Sequence, residues 1–227
     1  MGDEPELTGF SGIVPMFPLP NVVLFPRMFL PLHIFEPRYR AMTRAALDGE
    51  RYIAMALLQP GWQKGYEGTP PVHPVLGLGK IIEDDSLEDG RFNLVLYGMA
   101  RLKLLGEPSR DPYRTAEVQV LEERAATGAG YERKRKLLLA FYVQILKQIG
   151  EGGVAAPPED VPLGLTCDLL ASLIAFDPGV KQALLTELDV AVRCDHLLEL
   201  LQRMNAPGIT GPEAAGKRAW PPGPSLN

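Results

Sequence analysis

The 227-residue chain is long enough to bury a core without disulfide or metal staples, which excludes a mini-protein scaffold. Apolar residues make up 46% and charged residues 22%, while 23 Gly and 22 Pro amount to a fifth of the chain, so much of it must turn. The net charge of −5 is spread evenly, with 12 basic and 15 acidic groups in residues 1–120 and 11 and 13 in the remainder, which disfavours a polyanion-binding surface as the main activity.

Residues 1–12 are read as a flexible N-terminus without a secretory signal, because they are acidic and no apolar run follows a basic flank. Residues 13–122 show short apolar runs broken by Pro and Gly, the period-two texture of strands. Strands are predicted at 14–19, 22–25, 29–34, 52–58, 75–82, 92–97, 101–105 and 116–121, separated by turn chemistry such as Pro60-Gly61, Asp89-Gly90 and Asp111-Pro112. That spacing suggests a barrel or a folded pair of sheets. One helix interrupts the strands: Glu36-Pro37-Arg38 opens it with Pro in the first turn, and Asp48-Gly49 stops it. Gly77 and Gly79 lie within an apolar strand pattern and indicate close backbone packing or a bulge.

Residues 123–204 change to helical spacing. Leu138, Phe141, Tyr142, Ile145, Leu146 and Ile149 make one apolar stripe on a helix over 131–149. A Gly- and Pro-containing loop follows at 150–160, then helices over 162–176, 178–188 and 190–204. Asp177-Pro178 is a helix start of the N-cap-then-Pro kind, and Val190, Cys194, Leu197, Leu201 and Met204 form a single seam. Cys167 and Cys194 are flanked by core-type residues and read as reduced and buried. Residues 205–227 have no periodicity and read as a disordered tail. No uninterrupted apolar run of about 18 residues exists, so a cytoplasmic protein without a membrane partner is expected.

Chemistry-bearing motifs are scarce. The nearest approach to a P-loop, Gly211-x4-Gly216-Lys217-Arg218, has Arg where the magnesium-binding hydroxyl belongs and no strand before it. Three histidines, His33, His73 and His196, share no ligand spacing, so no metal or cofactor is expected. His33 and Glu36 form a His-x-x-Glu pair across a strand-to-helix corner, and His33 is read as structural, bonding to backbone. No Gly-x-Ser-x-Gly elbow occurs. The acidic run 83–89 reads as a solvated hairpin tip. The basic run 133–136 reads as a solvated first helical turn or a loose contact with that acidic loop.

The densest signal is Val14-Pro15-Met16-Phe17-Pro18-Leu19-Pro20-Asn21-Val22-Val23-Leu24-Phe25-Pro26, followed by Leu30-Pro31-Leu32-His33-Ile34-Phe35-Glu36-Pro37-Arg38-Tyr39-Arg40-Ala41-Met42. This resembles the opening of the N-terminal, substrate-binding domain of Lon proteases. Later stretches resemble it too: Val75–Ile81, Asp89–Phe92, Leu96–Leu102, Pro112-Tyr113, Lys181–Leu185 and Arg193.

The resemblance implies an α+β fold, a PUA-like β-barrel subdomain (13–122) followed by an α-helical bundle subdomain (123–204). It implies no enzyme, because the Walker motifs and Ser-Lys dyad of full-length Lon are not found in this sequence. Pro18, Phe25, Pro26, Pro31, His33, Phe35, Glu36, Arg38, Tyr39, Gly98 and Arg101 are motif residues with structural roles, among them a local ion pair of Glu36 with Arg38 or Arg40.

The expected function is binding of unfolded or hydrophobic polypeptides, as an adaptor or recognition module alongside a separate protease or chaperone. Unpaired strand amides and carbonyls at a barrel edge would take an extended peptide. Met28, Phe29, Trp62 and Tyr66 are the candidate lining residues, since they sit in loop-like segments where a core role is weakest. RNA or modified-nucleotide binding is the alternative that PUA-like barrels suggest, and the acidic balance opposes it. A hydrolase built around His33, Glu36 or His73 is the third reading.

Overall fold

The computed structural model describes residues 7, 10–65, 68–126, 128–149 and 161–204. Residues 1–6, 8 and 9 of the expected flexible N-terminus lie outside it, as do the 150–160 loop, the 205–227 tail with its Gly211–Arg218 motif, and the candidate Tyr66.

The strands are β1 (Ile13–Leu19), β2 (Phe29–Ile34), β3 (Tyr52–Leu57), β4 (Val75–Ser86), β5 (Phe92–Gly106) and β6 (Thr115–Leu121). The helices are α1 (Pro37–Asp48), α2 (Ala129–Ile149), α3 (Leu163–Leu173), α4 (Pro178–Thr186) and α5 (Val190–Met204), with a short 3-10 turn at Trp62–Gly65. The fold class is α+β, with one mixed sheet in the order β2-β5-β4-β3-β1-β6 and a further β5–β6 pairing. The β1–β3 pair is parallel, made possible by the crossover through α1, and the other pairs are antiparallel.

Two compact units divide the chain. One comprises residues 1–122 with 174–186, and the other 123–173 with 187–227. The sequence reading places all of 123–204 in a helical subdomain, whereas α4 groups with the sheet. Gln182 Nε2 donates to the Val75 carbonyl at 2.9 Å, and the buried Arg101 donates from Nε to the Leu185 carbonyl at 2.9 Å, near the C-terminal end of α4. A cation there meets carbonyls that the helix cannot satisfy internally.

Within the sheet unit, β3 is apolar along its whole length because both faces are covered. Tyr52, Ala54 and Ala56 join a cluster with Val14, Met16, Leu76, Leu102 and Ala116, while Ile53 and Met55 join a second with Phe17, Leu24, Ile34, Tyr39 and Met42. Tyr39, Met42 and Ala46 recur at helical spacing, so α1 lays one stripe on the second cluster. Tyr39 packs its ring 4.4 Å from that of Phe17.

The predicted strand 22–25 is not one. This segment crosses the sheet instead of pairing in it, and two glycines admit its backbone. A methyl group on Gly77 would sit 2.1 Å from the Leu24 carbonyl oxygen, and one on Gly98 would sit 2.1 Å from that of Phe25. The crossing is tied down where the Arg27 N–H donates to the Gly98 carbonyl (2.7 Å) and the Gly98 N–H donates to the Met28 carbonyl (2.8 Å). Arg27, just past Pro26, takes a φ of 62° to make the turn. The strands expected at 92–97 and 101–105 are accordingly one continuous β5, with Met99 as the extra residue where the register against β4 shifts.

A second correction follows from β4, which continues to Ser86. Glu83, Asp84 and Asp85 are paired strand residues opposite Val95, Leu94 and Asn93, and the hairpin tip is confined to 87–91.

In the second unit, α2, α3 and α5 enclose Leu138, Tyr142, Cys167, Leu170, Cys194, Leu197 and Leu201. Met204, expected in the α5 seam, is exposed as the last residue of the helix. The Asp177 cap is present, its Oδ1 accepting from the Gly179 N–H at 2.8 Å in the sheet unit. The basic run of α2 is engaged within its own unit: Lys134 pairs with Asp195 and Arg135 with Glu132.

Both cysteines are free and buried. Hydrogen bonding to Cys194, with burial, pushes the Cys167 thiol up. Neither thiol is expected to react with an aromatic disulfide reagent in the native protein, and both are expected to react in denaturant. Rapid native labelling of either would contradict the packing of α3 on α5.

Candidate functional site

Among the described residues β2 is the only strand with a single partner, because β6 is held on one side by β1 and on the other by β5. A strand with one partner leaves half its backbone groups unpaired. Which half follows from β5: the N–H and carbonyl of Gly98 both point to the 27–28 turn, so alternation along β5 turns Leu96, Leu94 and Phe92 the same way. Their register partners Leu30, Leu32 and Ile34 bond to β5. The amides of Phe29 and His33, and the carbonyls of Phe29, Pro31 and His33, face outward. Pro31 has no N–H to lose at that edge, which explains its tolerance inside a strand.

The same alternation divides the side chains. Leu30, Leu32 and Ile34 turn to the second core cluster, and Phe29, Pro31 and His33 turn to the opposite face. Phe29 is 59% exposed and stacks obliquely on Tyr97 of β5 with centroids 5.2 Å apart. Phe35, also 59% exposed, lies 6.2 Å from the His33 ring and nearly parallel to it. An aromatic face thus adjoins an unpaired strand edge, the two ingredients for holding an extended apolar peptide.

His33 does not bond to backbone, as expected from the sequence, but to side chains. Its Nδ1 is 2.7 Å from Asn93 Oδ1 and its Nε2 is 3.3 Å from Arg91 Nη1. An amide oxygen only accepts and a guanidinium only donates, so the neutral Nδ1–H tautomer satisfies both. Asn93 is oriented in turn by Asp85 (3.4 Å), and Arg91 by Asp89 (2.6 Å). Hydrogen bonding from Arg91 holds the Asp89 carboxyl below its ordinary range. The network fixes the ring that Phe35 stacks on. No group of three or more His, Cys, Asp or Glu suited to a metal ion exists among the described residues.

Of the four candidate lining residues, the structure brings Met28 and Phe29 to this place. Met28 is partly buried against the second cluster, and Phe29 is open. Trp62 packs on the first cluster instead, its indole half-buried beside strand residues. Phe35 is the reverse case: expected to be structural, it is among the most exposed large apolar side chains, because it stands outside the α1 stripe at the strand-to-helix corner. Glu36 forms the expected ion pair with Arg38 at 3.0 Å. Pro18 and Phe25 are buried. No sequence motif marks Tyr97 and Asn93 as surface residues, and only their place opposite β2 makes them part of it.

Residues 13–203 match the family profile of the ATP-dependent protease La (LON) substrate-binding domain. Lon protease of Desulfosudis oleivorans is 27% identical over 200 residues, covering 83% of this chain and 24% of that protein. Lon protease of Roseiflexus castenholzii is 28% identical over 208 residues, 88% of this chain and 25% of its own length. The chain therefore spans about a quarter of these relatives. Among solved structures, the Lon N-terminal domain protein from Xanthomonas campestris superposes with a TM-score of 0.62 at 22% identity, over 82% of this chain and 97% of that one. The N-terminal domain of Mycobacterium avium complex Lon protease gives 0.60 at 20% identity, over 84% and 98%.

Proposed function

The chain belongs to the ATP-dependent protease La (LON) substrate-binding domain family, and from that premise we propose that it is a non-catalytic module that grips extended, apolar polypeptide segments along β2. The observation that carries this reading is the single-partnered strand whose unpaired amides adjoin Phe29, Tyr97 and Phe35. Backbone bonding supplies affinity without reading sequence, and the aromatic face favours segments that alternate apolar side chains. Delivery of such segments to a separate protease or chaperone is the role this binding fits. The circuit of pairings β5-β4-β3-β1-β6-β5 supports reading the sheet as a PUA-like barrel, with β2 as an added strand outside the ring.

Titration with a chemically unfolded, apolar polypeptide, followed by fluorescence anisotropy, tests the proposal. Replacing Phe29 and Phe35 together by Ser removes much of the exposed aromatic area. At about 1.5–3 kcal/mol for each of the two large side chains if fully buried, affinity is expected to fall by roughly a hundredfold or more while the fold is retained. Unchanged affinity in the double variant would overturn the assignment of this surface.

A further inference from the structure

A recess in the sheet unit, apart from the aromatic face, has a floor of buried Pro18, Leu58, Pro70 and Tyr39 and a rim that includes Arg38 and Arg110. Its charges do not cancel. Glu107 is claimed by the buried Arg114 through two bonds of 2.8 Å, yet the same carboxylate also faces Arg110 at 3.5 Å, so one carboxylate serves two guanidinium groups. Arg110 remains 58% exposed and Arg38, paired with Glu36, lies 4.5 Å over the Tyr39 ring. Among the described residues, the lining thus carries three arginines and no carboxylate above an apolar floor.

Size narrows the ligand further. The cavity is about 50 Å³. That is room for a small apolar group seated over the floor, with the rest of the ligand outside. A ligand that carries an aliphatic group and a carboxylate on one carbon satisfies floor and rim together. A side-chain carboxylate does not, because it would drive the charge toward the apolar floor.

We infer that this recess takes the C-terminal residue of a bound polypeptide, its aliphatic side chain on Leu58 and Pro70 and its free carboxylate against Arg110 and Arg38. The inference rests on the polypeptide-binding reading and adds to it a preference for a chain end.

Three labelled 12-residue peptides of one apolar sequence test it, ending in Leu with a free carboxylate, in Leu amide, and in Glu amide. The free acid is expected to bind roughly tenfold more tightly than either amide, and Arg110→Gln, at an exposed site, is expected to abolish that difference. Equal binding of Leu acid and Leu amide, weakened by the Phe29 and Phe35 substitutions, would overturn the recess and leave the β2 reading standing. Glu amide equal to or tighter than Leu acid would overturn a terminal carboxylate as the ligand. No binding by any of the three would count against both readings.

Discussion

Gly98→Ala is expected to lower stability by about 3 kcal/mol or more, read as a fall in the urea midpoint at an unchanged slope. The added methyl would stand 2.1 Å from the Phe25 carbonyl oxygen and 3.2 Å from Pro26 Cα, both backbone atoms of the crossing segment, which a side-chain rotation cannot move. Gly77→Ala meets the Leu24 carbonyl at the same 2.1 Å and is expected to match it. Gly79→Ala meets only side-chain atoms of Leu24 and Leu96, at 2.9 Å and beyond, and should cost visibly less. Gly61→Ala is the control: nothing lies within 4 Å, and its φ of +87° leaves only the local strain of about 1–2 kcal/mol. If Gly98→Ala and Gly61→Ala unfold at the same midpoint, the crossing does not lie against β5 as described.

Arg193→Met is expected to cost about 3–5 kcal/mol in the helical unit. The guanidinium is 1% exposed, with Nη2 2.6 Å from Glu123, Nε 3.4 Å from the equally enclosed Asp168, and Nη1 donating to the Glu187 carbonyl at 2.7 Å. Burial works against its charge, but the carboxylates of Asp168 and Glu123 outweigh it and hold the arginine above its ordinary range. Removing the cation leaves Asp168 buried without that counter-charge. Gly164 belongs to the arrangement, since a methyl there would come within 3.0 Å of Glu123 and 3.1 Å of Arg193. Arg193→Lys should rescue little, because an ammonium cannot reach two carboxylates and a carbonyl in one plane. Arg203→Ala, removing an exposed pair with Glu199 at 3.7 Å, should change stability by less than about 0.5 kcal/mol. Equal losses for Arg193→Met and Arg203→Ala would show that the buried cluster is not formed.

What was legible in the sequence was mostly periodicity. The run Tyr52–Leu57 and the α1 stripe announce themselves because burial on two faces and on one face leave different spacings. Residues 22–25 misled for the same reason: a β-branched, aromatic run of four reads as a strand whether it pairs or crosses. The clue lies elsewhere, in Gly77 and Gly79, which indicate close packing or a bulge but name no partner to pack against. The exposure of Phe29 is legible because it sits in a loop-like segment where a core role is weakest. That of Phe35 is not, since it depends on where the chain turns into α1. Long-range partners were out of reach altogether: His33 meets Asn93 across 60 residues, and Arg193 meets Asp168 and Glu123 from a different helix and a connecting segment. Composition sets no such pairings; the register of β2 on β5 and the packing of α3 on α5 do.

Hydrogen exchange at single amides of β2, with and without saturating unfolded polypeptide, tests the proposed grip most directly. Slowed exchange at Phe29 and His33 is expected, with little change at Leu30 and Leu32, whose amides already face β5. Exchange at Phe29 and His33 that stays the same at saturation would contradict it.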